Sequence, residues 1–76
     1  MPIYYFNVRG DGLDVPDTAG RICADSAAAR REAELLAADL VCTALAAGER
    51  PLDAAIEVDD EEQRPVLALP LSEVRR

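Results

Sequence analysis

Histidine, lysine and tryptophan are missing from this chain of 76 residues, and cysteine occurs only twice. The lack of histidine removes the commonest general base, the usual partner of a serine or cysteine nucleophile, and the commonest metal ligand. No apolar run approaches the ~18 residues that cross a bilayer, so no membrane association is expected. The opening "MPIYYFNV" has neither the basic stretch nor the long apolar stretch of a secretory leader. The expected location is the cytoplasm, where Cys23 and Cys42 are expected to be reduced thiols. All eight basic residues are arginines, set against fifteen acids for a net charge of −7. A phosphate backbone repels such a chain, so nucleic acid is not an expected partner; a charged partner would be a basic protein.

Half of the residues are apolar, which argues against disorder despite the charge. Many of them are alanines, so the core is thin, and a chain this short buries only ~60% of the surface it exposes when unfolded. One domain over residues 1–76 is expected, with self-association, a homodimer in the simplest case, as a natural remedy for the small core.

"IYYFNV" (3–8) is aromatic and β-branched and reads as a first strand, Tyr4, Phe6 and Val8 on one face and Ile3, Tyr5 and Asn7 on the other. "VRGDGLDVPDTAG" (8–20) then reads as a hairpin connection, and "RICA" (21–24) as a short second strand. A helix follows, with Asp25 or Ser26 as N-cap and Gly48 where a left-handed C-terminal residue belongs. At 100° per residue, Ala29, Ala33, Leu36, Ala37, Leu40, Val41, Ala44 and Ala47 form its inner stripe. "AAIEV" (54–58) and "PVLALPLSEV" (65–74) are strands joined by the acidic turn "DDEEQR", and Pro65 and Pro70 push the last one to an edge or end its pairing at Pro70. The expected architecture is α+β, in the order β-β-α-β-β, with one long helix packed on a small, mainly antiparallel, four-stranded sheet. A right-handed crossover through the helix predicts that the third strand runs parallel to the first.

The candidate sites are few. Asp11, Asp14 and Asp17 suggest a cation loop, but counting from Asp11 the sixth residue is Pro16 and the twelfth Ile22, where a calcium loop needs Gly and Glu. Asp and Gly also suit turns. Arg9-Gly10-Asp11 is too short to carry weight, and a phosphate cradle would need its glycines at a helix start. Cys42 falls on the outer helix face, away from any activating group, and Cys23 reads as a small apolar strand residue. No enzyme, metal or cofactor is expected.

Two surfaces remain as partner-binding candidates. The first is the acidic run Asp59, Asp60, Glu61 and Glu62, with Asp53 and Glu57 nearby: a solvated turn, or a docking surface for a basic protein. The second is an apolar strip on the outer helix face, Leu35, Ala38, Cys42 and Ala46, between Arg31 and Asp39, suited to a helix-to-helix dimer or a partner groove.

The opening "MPIYYFNVRGDG", the "AAARREA" helix start, "GERPLDAAIEV" and the closing "VLALPLSEV" resemble a family of small bacterial domains of unknown function. Its members open Met-Pro-x-Tyr-(Tyr/Phe)-(Phe/His)-x-Val-Arg-(Asp)-Gly; this chain has Gly10-Asp11-Gly12 where Asp-Gly-Asp is common. That resemblance implies no activity and no site residues. A more distant likeness is to HicB-like antitoxin domains, which bind a small basic RNA-cleaving toxin. The expectation is thus a non-enzymatic protein-interaction module that self-associates. The alternative is an antitoxin-like inhibitor of a basic nucleic-acid-acting protein, and a third reading is a small ligand- or metal-dependent domain built on the aspartate loop.

Overall fold

Alternation along Ile3–Gly10, strand β1, sets Tyr4 and Phe6 into the core and turns Tyr5, Asn7 and Arg9 to the opposite sheet face. The computed structural model describes residues 2–10, 13–48 and 54–73. After β1 come β2 (Leu13–Val15), β3 (Arg21–Ile22), α1 (Ser26–Ala46), β4 (Ala54–Asp59), β5 (Pro65–Pro70) and a 3-10 turn over Leu71–Glu73. The strands form one sheet in the order β2-β1-β4-β5, with β3 also paired to β1, and every pairing is antiparallel. This is the expected α+β fold, one helix on one face of the sheet.

Two expectations are corrected. The stretch after β1 contains an additional short strand, β2, and the expected second strand shrinks to Arg21–Ile22. β4 runs antiparallel to β1, not parallel. The chain enters the helix from β3, itself antiparallel to β1, so the crossover joins β3 and β4, two strands that run the same way. The expectation had applied the crossover rule to the first strand, although the second strand is the one that leads into the helix.

β2 and β3 are two pieces of one edge. Val8 pairs with Val15 and Tyr4 with Arg21, so β1 passes four residues while its neighbour passes six. The two extra residues form a bulge between Val15 and Arg21. The other edge, β5, is bounded by Pro65 and Pro70 and carries an irregularity opposite Val58 and Asp59. Proline removes ladder donors and bulges bend the strand, so both edges are poor templates for another chain.

α1 begins where the Asp25 carboxylate accepts from Ala28 N at 2.8 Å, a cap worth about 1 kcal/mol. It ends at Ala47, which caps the helix and is exposed instead of lying on the buried stripe; Gly48 follows at φ +77°. Ala29, Ala33, Ala37 and Val41 are buried against the sheet, with Leu36 and Leu40 partly so. The alanines let the helix lie close over β4 and β5, where Ile56 and Val58 are fully enclosed. Burying each of those two side chains contributes roughly 1.5–3 kcal/mol. Leu71 closes the core from the 3-10 turn, not from a strand, because pairing stops at Pro70.

Candidate functional site

The sheet face away from α1 carries the densest polar grouping of the described residues. It centres on Asn7, which is 6% exposed although it lies on the face without a helix. The bulge covers it. Asn7 Oδ1 accepts from Asp17 N at 2.8 Å, and Asn7 Nδ2 donates to Asp59 Oδ2 at 3.1 Å and to the Glu57 carbonyl at 3.3 Å. Asp17 completes the closure: its Oδ2 accepts from Phe6 N at 3.1 Å, and its Oδ1 accepts from Ala19 N and Gly20 N, each at 3.1 Å. A carboxylate thus stands in for the strand partner that Phe6 loses at the bulge.

Burial pushes the Asp17 carboxyl up. The N–H groups of Phe6, Gly20 and Ala19, with Arg21 nearby, outweigh it and hold the group below its ordinary value of 3.8. A shallow hollow of about 460 Å³ lies over this network, lined by Tyr5, Asn7, Arg9, Pro16, Asp17, Thr18, Asp59 and Gln63. Several of its polar groups are engaged within the fold. Arg9 pairs with Asp14 at 3.4 Å and Glu57 at 3.3 Å, and both Asp17 oxygens and the whole Asn7 amide are committed within the fold. The bonds between Asn7, Asp17 and Asp59 hold the bulge and the last hairpin to β1.

The two described aspartates of the first loop, Asp14 and Asp17, are engaged separately. Asp14 pairs with Arg9 on the sheet, Asp17 turns inward, and Asp11 lies outside the described residues. Among the described residues, no group of three or more His, Cys, Asp or Glu side chains comes together to hold a metal. No described helix is long and apolar enough to cross a membrane.

The acids of the turn also make bonds within the fold. Asp59 is bound to Asn7, and Asp60 Oδ1 accepts from Glu62 N and Arg64 N, each at 2.9 Å, closing the turn around Gln63 at φ +64°. Glu61 Oε1 accepts from Ile3 N at 3.1 Å, and Glu62 pairs with Arg64. Of the two acids nearby, Glu57 pairs with Arg9 and Asp53 lies outside the described residues. Three of the four acids therefore shape the hairpin or pin it to β1.

A family model matches residues 3–72, from the first residue of β1 into the 3-10 turn; its description is a domain of unknown function, DUF6894. The chain belongs to that family. Membership accounts for the extent of the DUF6894 fold and assigns it no activity. No curated protein and no solved structure matches the chain.

The outer face of α1 in this DUF6894 domain differs from the sheet face in being apolar. Leu35 is 66% exposed, Cys42 and Ala46 are exposed, and Ala38 is half-buried. Sequence reasoning passed over Leu45, 47% exposed, which joins the same face. Counting i, i+3, i+7 and i+10 from Leu35 would have found it. Cys23 sits in the core, and its N–H extends the β3 pairing to the Pro2 carbonyl at 3.1 Å. Burial first, then Glu32 and Asp25, push its thiol up against the opposing pull of Arg21, which keeps it unreactive. No disulfide joins it to Cys42.

Proposed function

We propose that this domain is a non-enzymatic protein-interaction module that associates with itself through the outer face of α1. The observation that carries the reading is the composition of the helix from Leu35 to Ala47: Asp39 is its one charged residue, yet Leu35 and Leu45 face solvent. A helix apolar on all sides is ordinarily covered on all sides. The first half of α1 contrasts with it, carrying Arg30, Arg31, Glu32 and Glu34. The blunted sheet edges, and the commitment of Asn7 and Asp17 on the open face to bonds within the fold, support the helix as the contact surface.

Sedimentation of the full chain at rising concentration tests this. A dimer is expected, and since each copy carries −7 it should tighten as salt screens their repulsion. A strictly monomeric 8.2 kDa species at about 1 mM in high salt removes the proposal.

The second reading, a HicB-like antitoxin or inhibitor of a small basic protein, draws on the charge of −7. Its salt dependence has the opposite sign: capture of a basic partner would weaken as salt rises.

A further inference from the structure

Residues 16–20, the bulge between β2 and β3, cross the edge of β1 with little to hold them. Pro16, Thr18 and Ala19 are exposed, and no residue of the segment belongs to the core. Among the described residues, two hydrogen bonds join the segment to β1, and both belong to Asp17. Its N–H donates to Asn7 Oδ1 at 2.8 Å, and its Oδ2 accepts from Phe6 N at 3.1 Å. The other carboxylate oxygen serves the segment itself, accepting from Ala19 N and Gly20 N at 3.1 Å each. The segment is thus folded around the same carboxylate that tethers it, and can leave β1 without first coming apart.

The chain on either side is anchored independently. Val8 pairs with Val15 before the segment, and Tyr4 pairs with Arg21 after it. Arg21 is also held by Glu32 of α1 at 2.9 Å, and it lies over the Phe6 ring at 5.9 Å from the ring centre. Scarce apolar burial and solvent-exposed backbone mark segments that open well below the cost of global unfolding. The place of this one gives its opening a consequence. The hollow of about 460 Å³ on the open face has a counterpart of about 360 Å³ on the helix side, lined by Phe6, Val8 and Leu36. Pro16 and Asp17 line both. Phe6 and Asn7 are neighbours on opposite faces of β1, so the segment divides a polar hollow from an apolar one at the strand's edge.

We infer that residues 16–20 are a strap that swings off β1 as one unit while the pairings of β2 and β3 are kept. Asp17 is its latch, and its release joins the two hollows into one cleft along the edge of β1.

Native-state hydrogen exchange of the full chain, followed by NMR at low urea concentrations, tests the strap. The amides of Phe6, Asp17, Ala19 and Gly20 should share one protection factor, at least about tenfold smaller than that of Ala33 and Ala37 inside α1 and nearly independent of urea. Protection equal to that of α1, with the same dependence on urea, would mean that only global unfolding frees the segment, and overturns the proposal. Four unrelated protection factors would show that it does not move as a unit, and overturn it equally. In Asp17→Ala the amides of Phe6, Ala19 and Gly20 should lose their protection together. If Phe6 keeps its protection in that variant, Asp17 is not the latch.

Discussion

Asn7 and Asp17 lock each other in place: the Asn7 side-chain oxygen accepts from the Asp17 backbone N–H at 2.8 Å, while the Asp17 carboxylate reaches back to Phe6 N at 3.1 Å. One residue of β1 and one residue of the bulge thereby satisfy polar groups that the broken strand ladder leaves open. The most chemical-looking loop of the chain is consequently a structural clasp.

Removing the clasp should therefore be expensive. Asp17→Ala strips the partner from the N–H groups of Phe6, Ala19 and Gly20, and hydrogen bonds to a charged group contribute about 1.5–3 kcal/mol each when buried. The site is half-buried and the bonds are not additive, so a loss of about 2–3 kcal/mol is expected. Asp17→Asn, which keeps one carbonyl oxygen, should lose about half as much. Urea midpoints at a constant slope measure both; an Asp17→Ala midpoint equal to wild type would show that the clasp does not hold the edge.

The same carboxylate fixes a pH dependence. Its folded pKa lies below the ordinary 3.8, so between the two values the unfolded chain binds more protons and stability rises with pH. The contribution is complete above the unfolded value and disappears as pH falls through the folded one. Stability of the wild type should drop from about pH 4 downwards more steeply than that of Asp17→Asn. Parallel curves between about pH 2 and pH 4 would contradict the assignment.

Two glycines share a left-handed backbone but not a cost of replacement. Gly20 is at φ +75°, and a Cβ there would meet Ile3 Cγ2 at 2.6 Å and Tyr5 Cε1 at 3.0 Å. Gly48 is at φ +77° with open space around it. Gly48→Ala should cost about 1–2 kcal/mol, the left-handed penalty alone, and Gly20→Ala distinctly more because β1 must also give way. Equal shifts in melting temperature would mean that the bulge can move away from Ile3.

The elements legible in the sequence are those whose signal is local. α1 was readable from an N-cap at Asp25 or Ser26, the left-handed Gly48 after its end and its alanine stripe, and the last hairpin from an acidic turn between alternating strands. β2 was not, because Leu13–Val15 is three residues long and is a strand only by pairing with the far end of β1. Strand direction was misjudged for a different reason: the crossover makes β4 parallel to β3, the strand that leads into the helix, and β3 is antiparallel to β1. The burial of Asn7 left one faint mark, an amide in a run of aromatic and β-branched residues, where asparagine is uncommon. The roles of Asp59 and Glu61 depend on contacts with Asn7 and Ile3, more than fifty residues away, and no local pattern encodes them.

The two thiols give the last prediction. Cys42 is exposed on α1, whereas Cys23 is buried and its thiol is pushed up by desolvation and by Glu32. Only a thiolate alkylates, so iodoacetamide in native buffer should add once, at Cys42, with Cys23 following only in denaturant. Mass spectrometry of the digest separates the two; matching native rates would mean that Cys23 opens readily. A bulky maleimide on Cys42 should carry a second consequence. If the outer face of α1 is the self-association surface proposed above, the bulky adduct should shift the chain to monomer without lowering its melting temperature. Retention of a dimer by the bulky adduct would move the contact off this face of α1.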